Sequence, residues 1–398
     1  MEAHRLTAIN SMPYEVKNLV GLAENVRVYA PDGAPNAWNY SHHAAITSFK
    51  GKLYVFYSNG RKNEDDCGQR VVMAVSDDFY HWENRVIADN IPGGNDLWFL
   101  TCSGCHVYGG KMVVYCSART HDPDTIIRAA DGTPYHIDTP DYRLSYCGMF
   151  YTETEDGEHW SPLAELPGKF AGAAGAGTDL TLPQAPLATS TGTYDVTAGN
   201  LPPLLTKEQV LIWPGNIGAA YSTDPSGLGE WHGFATRVHP KFPAPPLLCE
   251  GSVYQEPNGA LVMLFRTNGP RLYGTISYDL GKTWTDLYKT NFNDASARFQ
   301  MGTLPDGRSF YIGNYNPSRA EIILMASRNG IDFDQWYYIR NEGNCYTLKA
   351  PGMHKGGLFG YPAVCFDQEY MYVAYSLLKE AVEVTRIKLT DIADTSLL

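Results

Sequence analysis

Ser277-Tyr278-Asp279-Leu280-Gly281-Lys282-Thr283-Trp284 is the stretch on which the fold is decided. Its pattern, Ser-x-Asp-x-Gly-x-Thr-Trp, has the chemistry of a hairpin fastener. Asp279 can accept bonds from neighbouring backbone N–H groups and Gly281 tolerates a positive φ, so the pair suits a tight turn. Trp284 opens the next strand and offers a large apolar ring to fold back over the hairpin. Upstream, Leu261-Val262-Met263-Leu264-Phe265 and Leu272-Tyr273-Gly274-Thr275-Ile276 read as strands.

Weaker copies recur. Ser76-Asp77-Asp78-Phe79-Tyr80-His81-Trp82 is one and Thr154-Glu155-Asp156-Gly157-Glu158-His159-Trp160 another. Ser222-Thr223-Asp224-Pro225 leads to Trp231, and Ser327-Arg328-Asn329-Gly330-Ile331-Asp332-Phe333 leads to Trp336. The closing tryptophans stand roughly 50 to 80 residues apart, near the upper end of the spacing for one four-stranded blade. The pattern resembles the Asp-box, or BNR repeat, of sialidase-like β-propellers. It specifies a fold element rather than an activity.

Composition narrows the class. With 27 tyrosines and 13% aromatic residues the chain suits strands. No run approaches the roughly 18 apolar residues of a membrane-spanning helix, so no membrane partner is expected. Met1-Glu2-Ala3-His4-Arg5 lacks the basic-then-apolar pattern of a secretory signal, which points to the cytoplasm, or to the periplasm or exterior after trimming. A net charge of −12 argues against nucleic acid as a partner. It leaves an acidic small substrate open, because a few convergent arginines suffice to hold a carboxylate. Eight cysteines show no disulfide framework. Cys102-Ser103-Gly104-Cys105-His106 matches a haem-attachment spacing and half a zinc site, but its surroundings read as a strand and no second Cys-x-x-Cys follows.

The expected architecture is all-β: one β-propeller domain over residues 1–398, built of four-stranded antiparallel blades. Residues 1–35 form a strap or closing segment and 165–203 an irregular insertion. Six blades are counted directly. A seventh, shared between the termini or lying in the irregular region, makes seven the expected number. The excursion from Arg119 to Asp141, with His121, Asp122, Asp124, Arg128 and His136, is long enough for a functional loop, although His121 and His136 read as loop residues rather than catalysts.

A propeller gathers its site where inner strands and their loops converge on the channel. Asn39-Tyr40-Ser41-His42-His43, opening an inner strand, is the foremost candidate. Adjacent strand residues face opposite ways, so one imidazole is expected to work in the pocket and the other to pack or orient.

The run from Asn39 to Ile46, with Gly51-Lys52-Leu53-Tyr54, Ser58-Asn59-Gly60, Glu64-Asp65, Gly68-Gln69-Arg70-Val71 and Ser76-Asp77-Asp78, resembles a group of seven-bladed propeller enzymes acting on uronic-acid-containing glycans. The group includes ulvan lyases and enzymes that release L-rhamnose from rhamnosyl-α-1,4-glucuronate caps of arabinogalactans. The detailed match covers about the first blade. It implies that His42 or His43 is catalytic and that Gln69 bonds a sugar hydroxyl. The lyases carry a second histidine further on, where this chain reads Gly60-Arg61-Lys62-Asn63. That departure favours the rhamnose-releasing branch, or a member that has lost activity.

The chemistry can be argued separately. Hydrolysis normally needs a carboxylate pair across the scissile bond, and no pair is assignable among acids that fall mostly in turns. A sialidase would need an arginine triad and a Tyr/Glu nucleophile, and the amino-terminal arginine motif is absent. Elimination asks only for a base at C5 of a uronate, a cation for its carboxylate and an acid for the leaving oxygen, with neither cofactor nor metal. His42 or His43 and His106 would serve as base and acid. Arg119 and Arg266 would clamp the carboxylate, with Arg271 as a further clamp. Three readings follow: a lyase releasing rhamnose, a sialidase-like hydrolase or rhamnosidase, and a sugar- or protein-binding propeller.

Overall fold

The computed structural model describes residues 2–34, 37–136, 144–169, 201–215, 218–236 and 248–394. The central part of the expected 165–203 insertion lies outside these residues. Among them no helix is long and apolar enough to cross a membrane.

Six blades are present among the described residues. Blade 1 is Tyr40–Phe49, Lys52–Gly60, Arg70–Ser76 and Glu83–Ala88. Blade 2 begins at Trp98–Tyr108 and Lys111–His121, blade 3 at Leu204–Leu205 and Leu211–Pro214. Blade 4 begins at Leu248–Gln255 and Leu261–Thr267, blade 5 at Gln300–Thr303, and blade 6 at Phe359–Phe366. In blades 1 to 5 the four strands pair antiparallel in chain order.

The ring closes through the amino-terminal segment. Glu24–Tyr29 pairs antiparallel with Ala381–Lys388 as the fourth strand of blade 6. Glu15–Asn18 adds a parallel fifth strand outside blade 5. The expectation of seven blades is therefore corrected to six among the described residues. The terminal strands that suggested a shared seventh blade complete the sixth.

The core explains why the ring has no gap. Apolar side chains fall into six buried clusters, one between each pair of successive blades. Tyr57 and Ala374 belong to the 6–1 cluster, Phe56 and Cys116 to 1–2, and Tyr115 and Trp213 to 2–3. Ile212 and Phe265 belong to 3–4, Leu264 and Tyr311 to 4–5, and Ile312 and Val373 to 5–6. Each blade buries both faces, which is why its strands read as apolar runs rather than alternating ones.

All five fasteners form between a third and a fourth strand. In the best, Asp279 accepts from Thr283 N (2.8 Å) and Thr283 Oγ1 (2.6 Å), Ser277 Oγ accepts from Gly281 N (2.9 Å), and Trp284 Nε1 donates to Gly281 O (2.9 Å). Leu280 and Gly281 both have positive φ, as the turn requires.

Candidate active site

Four innermost strands break register at the same level. The irregularities fall between His42 and Ala45, Cys102 and Cys105, Cys249 and Gly251, and Gly360 and Ala363. Each holds one residue of positive φ: His43 at 58°, Gly104 at 102°, Glu250 at 27° and Tyr361 at 57°. A bulge re-aims the side chain it carries, and a non-glycine residue there costs on the order of 1–3 kcal/mol. Asp65, Ser296, Arg319, His354, Leu378 and Lys379 also have positive φ. Strained backbone of this kind clusters where function over-determines the fold.

Two networks meet at Tyr361. On one side its hydroxyl donates to Glu250 Oε2 at 2.9 Å, and Arg266 Nη1 donates to the Tyr361 hydroxyl at 2.6 Å and pairs with Glu250 Oε2. Burial pushes the Tyr361 phenol well above its usual range, against the opposing pull of Arg266. Arg298 lies under the ring, 5.0 Å from its centroid, and donates to the carbonyls of Ala44 (3.0 Å) and Tyr361 (2.5 Å). Arg298 thereby fastens blade 5 to the bulges of blades 1 and 6. Arg319 contributes positive potential at Tyr361 and His42 and donates to Ser296 O.

On the other side stand the two histidines. Their ring centroids are 4.6 Å apart, and they lie 4.0 Å (His42) and 5.5 Å (His43) from the Tyr361 ring. His42 Nδ1 bonds Ser376 Oγ at 2.7 Å and His43 Nδ1 bonds Ser58 Oγ at 3.1 Å. His42 Nε2 is buried with no hydrogen-bond partner among the described residues. His43 Nε2 is 3.9 Å from Glu64 Oε1, Tyr40 donates to that oxygen at 3.2 Å, and Lys379 Nζ holds Oε2 at 2.6 Å. Burial drives His42 well below the usual imidazole value and His43 to about 3, the latter partly offset by Glu64. Burial raises the Glu64 carboxyl, but Lys379 and His43 outweigh it and hold it at about 2. The site therefore presents neutral imidazoles, an ionised Glu64 and a surplus of guanidinium groups in a chain of net charge −12.

The expectation that one imidazole turns away is overturned: the bulge at His43 places both beside Tyr361. Arg266 is at the site, with its side chain 14% exposed. Arg119 lies near enough to depress His43. Three other candidates are placed elsewhere. His106 sits near the far end of its strand, with Nε2 bonded to Pro225 O at 2.8 Å; residues at the near end, such as Cys102, reach Ser58. Gln69 is fully buried, giving Nε2 to Leu100 O (2.8 Å) and accepting from Asp65 N (3.2 Å), so it stitches blades 1 and 2 and has no group left for a sugar. Arg271 donates to Asn291 O at 2.8 Å on the outer strand of its own blade. The Cys-x-x-Cys-His motif is the blade 2 bulge, where Gly104 is required because a Cβ would lie 2.4 Å from Pro202 N. His136 has a described backbone in a short strand, and its side chain lies outside the described residues.

Tyr361, Glu250, Arg298, Arg319, Glu64 and Lys379 were not among the sequence candidates. One signal pointed to Glu250: a lone acid inside the apolar run Leu247-Leu248-Cys249-Glu250-Gly251-Ser252-Val253. Tyr361 and Lys379 had none, because only the bulge and the paired left-handed residues Leu378 and Lys379 aim them inward.

Residues 141–375 match the BNR repeat-like domain. No curated protein matches the sequence. Among solved structures, a Dyadobacter fermentans protein of unknown function superposes with a TM-score of 0.61 at 16% identity, covering 92% of this chain and 98% of that one. The intramolecular trans-sialidase of Ruminococcus gnavus, in complex with oseltamivir carboxylate, gives 0.59 at 10% identity over 92% and 98%. The NanB sialidase of Streptococcus pneumoniae gives 0.58 at 12% identity, covering 92% of this chain and 70% of that one. At these identities the likeness is one of fold.

Proposed function

Since the chain belongs to the BNR repeat-like domain family, we propose that its site is that of a carbohydrate-active enzyme, a glycoside hydrolase cleaving the bond to a carboxylate-bearing sugar. The observation that carries this reading is the Tyr361–Glu250 bond at 2.9 Å with Arg266 against both oxygens. A tyrosine is an accepted variant of the carboxylate nucleophile in glycoside hydrolysis. Its phenol is protonated at neutral pH, so it needs a base, and its proton already points at Glu250. On attack at the anomeric carbon, the Tyr361 O–H proton passes to Glu250 Oε2 as the new C–O bond forms and the glycosidic bond breaks, the leaving oxygen taking a proton from solvent. Once Glu250 has given its proton up to solvent, it deprotonates a water that attacks the anomeric carbon; the Tyr361–sugar bond breaks, the phenolate takes the proton back from Glu250, and the sugar is freed. Arg266 and Arg319 supply the positive field for the sugar's carboxylate. Glu64, held ionised by Lys379, is not the proton donor to the leaving oxygen.

A second reading, elimination at a uronate with release of rhamnose, is favoured by one observation. His42 is neutral and its Nε2 lacks a partner among the described residues, the state a base requires. The two readings separate on one experiment. The protein is incubated with aryl glycosides of sialic and glucuronic acid and with rhamnosyl-glucuronate oligosaccharides, following free sugar and the ultraviolet absorbance of a C4–C5 double bond. A fluorinated acidic glycosyl donor is then used to trap the enzyme for peptide mapping. The hydrolase reading expects free sugar without the chromophore and a glycosyl adduct on Tyr361. A chromophore with no adduct would sink it in favour of elimination, and no turnover of any substrate would favour a binding propeller.

A further inference from the structure

We propose that His42, His43 and Glu64 form a binding site for one divalent transition-metal ion of the zinc class. One ring nitrogen from each imidazole and one Glu64 carboxylate oxygen all lie within 4.8 Å of one another, and no other trio of histidine, cysteine or acidic side chains among the described residues does this. The outer nitrogens are already oriented: both Nδ1 atoms are tied to hydroxyls, Ser376 for His42 and Ser58 for His43. Such a bond from the ring nitrogen away from the ion fixes tautomer and ring angle in metal-binding histidines. It leaves the Nε2 atoms as ligands, and that of His42 is buried without a partner among the described residues.

The spacing is right for an ion. Zinc stands about 2.0–2.2 Å from imidazole nitrogen and carboxylate oxygen, and His43 Nε2 and Glu64 Oε1 are 3.9 Å apart, so one ion can touch both. The bulge gives an independent argument. A regular strand would send consecutive side chains to opposite faces, whereas His43 at φ 58° brings the two imidazoles to one side, 4.6 Å apart. Imidazoles kept neutral by burial are in the ligating form. Two nitrogens and one oxygen suit Zn²⁺, Co²⁺ or Ni²⁺ better than Ca²⁺ or Mg²⁺.

Charge sets the limit. Lys379, Arg298 and Arg319 raise the potential at His42, and Lys379, Arg298 and Arg119 raise it at His43. Glu64 opposes them. An ion here is held less tightly than in an all-anionic site, and removing Lys379's charge strengthens the hold. The inference stands apart from the nucleophile assignment and is compatible with hydrolysis, but an ion on His42 would withdraw that nitrogen from the elimination reading.

The test uses the full chain, stripped with chelator and titrated with Co²⁺, reading visible d–d absorption and metal content after dialysis. One equivalent is expected, with the intense bands of a low-coordinate site, displaced by Zn²⁺. His42→Gln, His43→Gln and Glu64→Gln should each weaken binding by about tenfold or more, with thermal unfolding confirming that each variant is folded. Lys379→Met should tighten it. Absence of visible bands in the parent protein overturns the proposal. So does undiminished binding in the His42→Gln, His43→Gln double variant, which would assign the ion to exposed His81 or His159, each beside an aspartate.

Discussion

Tyr361 and Glu250 are 111 residues apart in sequence and meet at 2.9 Å because each occupies the positive-φ position of a bulge in an innermost strand. One comes from blade 6 and the other from blade 4, so the bond spans the channel rather than a single sheet. A pair assembled this way needs both bulges and the ring that opposes them. Tyr361→Phe removes only the hydroxyl and keeps the ring packed on His42 and Arg298. Loss of a nucleophile should lower kcat by roughly a thousandfold or more with little change in KM. Steady-state kinetics on the best acidic glycoside check this, and a loss below tenfold would exclude Tyr361 as nucleophile.

Glu250→Gln keeps the shape of the side chain and removes its charge. Arg266, itself nearly buried, then loses its only carboxylate partner among the bonds described for it. Breaking one half of a buried pair costs about 3 kcal/mol, and loss of the base should lower kcat by roughly 10²–10⁴-fold. Denaturant unfolding and kinetics should therefore both respond. A stability change without a rate change would leave Glu250 as a structural partner of Arg266.

The bulge at His43 makes its own prediction. A β-branched residue is strongly disfavoured at φ 58°, whereas glycine accepts it freely. His43→Val should be less stable than His43→Gly by about 1–2 kcal/mol, although valine is the better strand former elsewhere. Urea unfolding of the two variants decides it. Equal stabilities would mean that the strand straightens when the imidazole is lost.

Five Asp-boxes are legible in the sequence because each is local. Serine or threonine, an acid or amide, and tryptophan within a few residues form their bonds without help from the rest of the chain. The blade count was legible to six and overstated by one, since the closing partnership of Glu24–Tyr29 with Ala381–Lys388 is a contact across the whole chain. The site was half legible. His42 and His43 lie on the expected inner strand, though the bulge turns both to one side, and Arg266 lies beside them. Tyr361, Glu250 and Lys379 escape such a reading, because a bulge inverts the period-two rule from which facing is read. Gln69 failed for another reason: an interior amide between blades and a sugar-binding amide look the same in sequence.

The boxes also grade their own substitutions. In the fifth box Asn329 takes the aspartate's place, and its Oδ1 accepts from Ile331 N and Asp332 N, both at 2.8 Å. Asp279→Asn should therefore be mild, below about 1 kcal/mol, while Asp279→Ala forfeits both Thr283 bonds and should cost about 1–2 kcal/mol. Neither should alter kcat. Thermal unfolding of the two variants checks the order, and an equal loss would mean that the carboxylate charge, not the acceptor geometry, holds the turn.

The buried thiols set an upper pH limit on stability. Burial, aided by Asp66 and Asp96, pushes the Cys67 thiol up to about 12, and burial alone is the main cause that takes Cys102 to about 11. A folded pKa above the unfolded value means that the unfolded chain releases the proton first. The stabilising contribution is then complete below about pH 8.5, the free-thiol value, and is lost progressively as pH rises toward the folded values. For Cys102 the difference between the folded and free-thiol values is worth on the order of 3 kcal/mol. Unfolding free energy should fall between pH 9 and 11, and Cys102→Ala should flatten that slope. In the native protein at about pH 8, below the free-thiol value, iodoacetamide should leave Cys67 and Cys102 unmodified, since thiolate is the reactive form. Rapid native alkylation of either, read by peptide mass spectrometry, would show that the channel wall opens far more often than its packing implies.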